Sequence, residues 1–175
     1  MRLPPETIGV LNLQAQYGKP HWDTYFMAIA DLVASRATCR RGQIGCVLTK
    51  DNRILATGYN GPLIGHSDCV ESEGMITDSC CRKGPDGGCI ETAHAEQNAV
   101  AYAARYGVSL TGCTAYLSGY SPCINCTKLL VQCGCIRVIY NKEYRDTMPL
   151  DFLREAGVAY ELYTGPILIY TFANS

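Results

Sequence analysis

Two short stretches constrain this chain more than any property of the whole: Thr92-Ala93-His94-Ala95-Glu96-Gln97-Asn98-Ala99 and Ser121-Pro122-Cys123-Ile124-Asn125-Cys126. One imidazole and two thiolates are the protein share of a catalytic zinc site, which keeps its fourth position for water. Any fold this chain adopts has to bring His94, Cys123 and Cys126 to one point. Glu96 stands near enough to His94 to act beside a metal without binding it. Zinc lowers the pKa of bound water to about 7. A neighbouring carboxyl group can then take the released proton and deliver it to a substrate.

The flanking residues say how the two stretches are carried. From His94 the run Ala95, Ala99, Val100, Ala101, Ala103 and Ala104 is helix-forming and ends near Gly107. From Cys123 a second helix runs through Thr127, Lys128, Leu129, Leu130 and Val131 to Gly134, with Pro122 just before its start. Both ligand sets therefore lie at helix N-termini, whose partial positive charge suits a centre of net negative charge and favours thiolates. A lone C-x-x-C is also compatible with half a structural zinc knot or a redox pair. H-x-E opening one helix and P-C-x-x-C opening the next is instead the signature of zinc nucleobase deaminases.

The remaining chain supports one domain. With 175 residues, 47% of them hydrophobic and 18% charged, it can bury one good core but not two. No apolar run approaches the roughly 20 residues of a membrane helix. Met1-Arg2-Leu3-Pro4-Pro5-Glu6 lacks the apolar core of a secretory signal, so the expected setting is cytoplasmic. A net charge of −1 offers no basic stripe for a polynucleotide, whereas a free nucleotide needs only a few donors.

Residues 1–20 read as an N-terminal arm, 21–163 as the domain with an insertion at 62–91, and 164–175 as a tail. Trp22, Phe26, Ile29 and Val33 recur on one helical face, with Trp22 and Phe26 as core residues and His21 at the surface. Gln43 to Leu48 and Arg53 to Gly58 are paired strands about a turn at Lys50-Asp51-Asn52. Gly58-Tyr59-Asn60-Gly61-Pro62 follows as a tight turn that can present the Asn60 amide. Thr114 to Ser118, Ile136 to Tyr140 and Val158 to Tyr163 are further strands, and Thr147 to Ala156 a short helix. Strands alternating with helices after an initial hairpin predict a mixed sheet covered on both faces.

Eleven cysteines in a cytosolic chain point to metal. Cys46, Cys113, Cys133 and Cys135 fall in apolar patterns and read as small buried hydrophobes. Cys39, Cys69, Cys80, Cys81 and Cys89 lie in loop-like sequence, where packing explains them poorly. The insertion needs something to pin it. A second, structural zinc on Cys39, Cys69, Cys81 and Cys89 would do so, with Cys80 or His66 as substitute ligands. The alternative is an insertion held by side-chain packing alone.

Gln43-Ile44-Gly45-Cys46-Val47, Gly58-Tyr59-Asn60-Gly61, Cys89-Ile90-Glu91-Thr92-Ala93-His94-Ala95-Glu96-Gln97-Asn98-Ala99 and Ser121-Pro122-Cys123-Ile124-Asn125-Cys126 together resemble the deoxycytidylate deaminases of the cytidine/deoxycytidylate deaminase superfamily. The resemblance spans residues 21–163. It implies an α/β fold of cytidine deaminase type, a three-layer α/β/α sandwich about a mixed five-stranded sheet. It implies hydrolysis of dCMP to dUMP and ammonia, supplying dUMP for thymidylate synthesis. His94, Cys123 and Cys126 would hold the catalytic Zn2+, and Glu96 would shuttle protons to the ring. Asn60 and Tyr120 are candidates for the sugar and base, although Tyr120 can equally be a packing residue. Arg36, Arg40 and Arg41 are candidates for the 5′-phosphate, or else a solvated loop. A homohexamer activated by dCTP and inhibited by dTTP is a further implication. Two rival readings remain: a deaminase of a base in tRNA or DNA, and a non-catalytic zinc-stabilised binding protein, for which Glu96 would have no use.

Overall fold

The structure is a computed structural model in which residues 18–39, 41–66, 68, 82, 84–85 and 88–166 are described. Helix α1 (Trp22–Ala34) starts at His21, whose Nδ1 accepts a hydrogen bond from Asp23 N at 3.2 Å. Strands β1 (Gly45–Lys50) and β2 (Arg53–Tyr59) form a hairpin. Asp51 and Asn52 carry φ values of 49° and 59° at its tip, the paired left-handed conformations that match the twist of a two-residue hairpin turn. Two short strands, β3 (Gly61–Pro62) and β4 (Thr92–Ala93), then pair with Gly61 opposite Ala93 and Pro62 opposite Thr92. This ladder closes the base of the insertion. Helix α2 (Ala95–Arg105), β5 (Thr114–Tyr120), α3 (Ile124–Gln132), β6 (Arg137–Lys142), α4 (Met148–Glu155) and β7 (Ala159–Leu162) complete the described fold.

The main sheet has the order β2-β1-β5-β6-β7. The β2, β1 and β5 strands pair antiparallel, and β5, β6 and β7 pair parallel. Parallel neighbours need a crossover, which α3 and α4 supply. Alternation along each strand splits the core in two. Val47, Tyr116 and Ile139 pack with Phe26, Met27 and Ala30 of α1 on one face. Cys46, Leu48, Ala115, Leu117, Val138 and Tyr140 pack with α2, α3 and α4 on the other. This is the expected three-layer sandwich on a mixed five-stranded sheet.

Helices α1 and α2 press directly on the hairpin backbone. A Cβ on Gly45 would collide with Ala30 O and lie 2.7 Å from Ala34 N. One on Gly58 would collide with Ala95 O and Ala99 N. The Gly58 contact sets the start of α2, and with it the height of His94 and Glu96 above the sheet. On the opposite face, Asp23 of α1 receives hydrogen bonds from Tyr116 Oη at 2.7 Å and from Arg137 Nη1 at 2.8 Å, while Arg137 also pairs with Glu161.

Three local expectations need correction. Trp22 is not a core residue: it is 48% exposed and stacks on Phe26, with ring centroids 5.5 Å apart, while its neighbours Asp23 and Thr24 are the first-turn residues that face the sheet. Strand β1 begins at Gly45 rather than Gln43, since Ile44 N donates to the Asn60 side-chain Oδ1 at 2.8 Å instead of to a strand partner. The insertion is closed at its base by the β3–β4 ladder, which the sequence did not suggest. No helix among the described residues is long and apolar enough to cross a membrane.

Candidate active site

His94 is the N-cap of α2 and Cys123 the N-cap of α3, with ψ values of 158° and 169°. Extended backbone at both positions throws the two side chains ahead of their helices, while Cys126 looks out from the first turn of α3. The caps are braced. His94 N donates to Gln97 Oε1 at 2.7 Å, and Asn98 Nδ2 donates to Tyr59 O at 2.7 Å, tying α2 to the end of β2. Ser121 N donates to Lys142 O at 2.7 Å and Ser121 Oγ accepts from Tyr144 N at 2.9 Å, tying the cysteine loop to the end of β6.

The result is a three-ligand group. His94 Nδ1 lies 3.5 Å from Cys123 Sγ and 3.4 Å from Cys126 Sγ. A tetrahedral ion with Zn–N of 2.0–2.1 Å and Zn–S of 2.3 Å has N···S edges of about 3.6 Å, so the spacing fits zinc. Among the described residues this is the one group of three such ligand atoms lying within 4.8 Å of one another.

The electrostatics agree with a site built to receive a cation. Contact with Cys126, against burial and with help from His94, holds the Cys123 thiol down to about 4. Cys126 is pushed well up by the same contact and by burial. A zinc ion held by His94, Cys123 and Cys126 would displace the thiol protons, leaving both sulfurs as thiolates. His94 is raised, chiefly by its contact with Cys123. Glu96 is 5% exposed, and burial raises its carboxyl above the usual range, opposed by a backbone hydrogen bond and the His94 charge. A metal's own charge pulls in the opposite direction. Together they suit a carboxyl group that both takes and returns a proton.

A cavity of about 240 Å³ opens over this group, with Glu96, His94 and Cys123 in its wall. Asn60, Tyr120 and Arg41 line it too, as do Cys39 and Cys89. Asn60 is buried, and its amide bonds to Ile44 N and to Gly42 O at 2.9 Å, so it shapes the wall as much as it faces the cavity. Tyr120 is half-exposed and meets Tyr144 edge-on at 6.0 Å. Arg36 is exposed in the turn after α1 and is not among the lining residues. His66 Nδ1 lies 3.7 Å from Glu91 Oε2, and Arg82 pairs with the same carboxylate. Cys89 Sγ accepts from Thr92 Oγ1 at 3.4 Å. Arg40, Cys69, Cys80 and Cys81 lie outside the described residues.

Tyr144 is the lining residue that sequence reasoning missed. The available signal was topological, since it follows β6, and ligands of parallel sheets gather beyond the carboxyl ends of the strands.

Comparison with known proteins agrees with this geometry. Residues 20–142 match the cytidine and deoxycytidylate deaminase zinc-binding region. ComE operon protein 2 of Bacillus subtilis is 38% identical over 144 residues, covering 80% of this chain and 70% of that one. The deoxycytidylate deaminase of Schizosaccharomyces pombe is 36% identical over 150 residues, covering 85% of this chain but 46% of its own length, so the present chain spans about half of it. The dCMP deaminase of cyanophage S-TIM5, solved in complex with dCMP and dUMP, aligns with a TM-score of 0.69 at 33% identity, covering 84% of this chain and 100% of that one. Helix-capping ligands that converge on one point, a buried carboxyl group beside them and a zinc-binding pattern across most of the sequence have one explanation: the chain belongs to the cytidine and deoxycytidylate deaminase family.

Proposed function

We propose that this chain hydrolyses dCMP to dUMP and ammonia, with one zinc ion held by His94, Cys123 and Cys126. The observation that carries the reading is the buried Glu96 carboxyl group in the wall of the cavity over the three ligands. A structural zinc site has no use for it. Zinc, when bound, supplies a water acidified towards neutral pH. Glu96 accepts a proton from the attacking water and delivers it to the ring N3 as oxygen adds at C4. It then carries the second proton to the amino group, which leaves as ammonia. The converging N-termini of α2 and α3 favour the negative charge that builds up.

In this reading Asn60 and Tyr120 hold the sugar and base, with Tyr144 beside Tyr120, and Arg41 meets the 5′-phosphate; that all four line the cavity supports it. The balance of charge favours a free nucleotide over a polynucleotide. The fuller reading includes a second zinc on Cys39, Cys89 and cysteines of the insertion, a hexameric assembly answering to dCTP and dTTP, and a cytoplasmic role supplying dUMP for thymidylate synthesis. Cys39 and Cys89 support the second ion by bordering one cavity.

The test is ammonia release from a panel of dCMP, deoxycytidine, cytidine, 5-methyl-dCMP and a deoxycytidine oligonucleotide. Fastest turnover of dCMP is expected, and preference for the oligonucleotide would overturn the substrate. Elemental analysis of the pure protein should give a zinc-to-chain ratio near two. A ratio near one would remove the structural ion and leave the catalytic one standing.

A further inference from the structure

Four cysteines outside the metal centre, Cys46, Cys113, Cys133 and Cys135, meet in one core cluster, and deamination uses none of them. Three of them gather at a single turn. Cys133 is the C-cap of α3, and Gly134, with a left-handed φ of 87°, separates it from Cys135. Cys113, just before β5, lies alongside. Backbone hydrogen bonds lock the two segments together on either side of it: Gly112 N donates to Gly134 O at 2.8 Å, and Ile136 N donates to Cys113 O at 2.9 Å. Cys113 has Cys133 and Cys135 as its interacting neighbours in this cluster. All three are free thiols.

They differ in access. Cys113 and Cys135 are buried, whereas Cys133 is half-buried, so a small oxidant reaches Cys133 first. The three sulfurs are not packed closely enough to form a metal site of the kind His94, Cys123 and Cys126 make. Core packing alone needs an apolar group of the right size at these positions, not sulfur at all three.

We propose that Cys133 and Cys113 form an oxidation-sensitive dithiol, in which Cys133 meets a hydroperoxide and Cys113 resolves the product. The Cys133 thiolate attacks the peroxide O–O bond, which breaks to leave Cys133 sulfenic acid and one molecule of water or alcohol. The Cys113 sulfur then displaces the sulfenic hydroxyl as water, and the disulfide forms. Two electrons pass from the two thiols to the peroxide, and their two protons end in the products. The acidities divide the roles in the same sense. Contact with Cys113 lowers Cys133 and the buried Cys135 alike, while Cys113 is pushed well up by its contacts and by burial, so access singles out Cys133 of the two acidic thiols.

The test treats reduced, zinc-loaded full-length protein with one to a few equivalents of hydrogen peroxide, then alkylates it and maps the peptides by mass spectrometry. Cleavage after Tyr116 separates Cys113 from Cys123 and Cys126, and fragment ions distinguish Cys133 from Cys135. A Cys113–Cys133 cross-linked peptide that appears before Cys123 or Cys126 is modified, and disappears on thiol reduction, is the expected result. Cys133→Ser should leave Cys113 reduced under the same treatment, and Cys133→Ala repeats the test without a hydroxyl. Earlier oxidation of the metal ligands, a Cys133 sulfinic acid with no cross-link, or a disulfide through Cys135 would each overturn the proposal.

Discussion

The two ends of α3 carry the same residue type to opposite purposes. At its start Cys123 and Cys126 point out of the helix, in reach of His94 and at the positive end of the helix dipole. At its end the half-buried Cys133 donates its Sγ hydrogen back to Leu130 O at 3.2 Å, and the buried Cys135 donates to Arg137 O at 3.2 Å. Nine residues of helix, roughly 13 Å, separate a metal-ready pair from a thiol group woven into the core. Spacing distinguishes them as well. C-x-x-C puts two sulfurs on one turn of a helix, whereas Cys133-Gly134-Cys135 straddles a helix stop. A cysteine's chemistry here follows from what surrounds it.

Substitutions at the two ends, and at the contacts that position them, put that contrast at risk. The largest effect belongs to Cys123→Ser, which should lose the catalytic zinc and bring turnover to background, as read by elemental analysis and ammonia release. Retained zinc with retained turnover would equate the two ends and break the contrast. Glu96→Gln should keep zinc and fold while turnover falls about 10²–10⁴-fold, the range that proton transfer supplies. Gly58→Ala sharpens the positional half of the contrast. Its methyl group meets Ala95 O and Ala99 N, so thermal or denaturant unfolding should register a loss of about 1–3 kcal/mol, with a raised KM as the start of α2 shifts. Cys133→Ser should leave the turnover of untreated protein close to the parent's, since Cys133 lies at the far end of α3 from the ligands and does not line the cavity.

The smallest effect lies on the opposite face of the sheet. Burial draws the Asp23 carboxyl upward, but hydrogen bonds from Arg137 and Tyr116 outweigh it and hold the group below the usual carboxylate range. A depressed carboxylate contributes stability that is complete above its unfolded pKa of about 3.9 and is lost as pH falls through the folded value. Asp23→Asn should therefore flatten the acid limb of the stability curve and leave the metal content unchanged. An unaltered acid limb would mean the ion pair is not felt.

Much of the site was legible in the sequence because its parts are local. The N-cap positions of His94 and Cys123 follow from the helix-forming runs behind them, and Glu96 comes with His94. The fold was legible where periodicity was strong, as in β5, α3 and β6. What escaped was decided by contacts distant in sequence. Ile44 leaves the strand for Asn60, Asp23 and Thr24 take the sheet-facing side of the first turn of α1 and leave Trp22 half-exposed, and Tyr144 reaches the cavity only through the return of β6 to Ser121. The meeting of Cys113 with Cys133 and Cys135 is of the same kind, since it depends on sheet order and not on spacing. Arg36 shows the converse, an apt residue type in a turn that does not reach the cavity.

Turnover of dCMP in oxygen-18 water tests the central claim most directly. The account predicts dUMP heavier by one labelled oxygen at C4, with ammonia released in equal amount and both products formed about 10²–10⁴-fold more slowly by Glu96→Gln. Zinc-loaded protein that leaves dCMP unchanged, or a variant without the carboxyl group that turns it over at the parent rate, would contradict it.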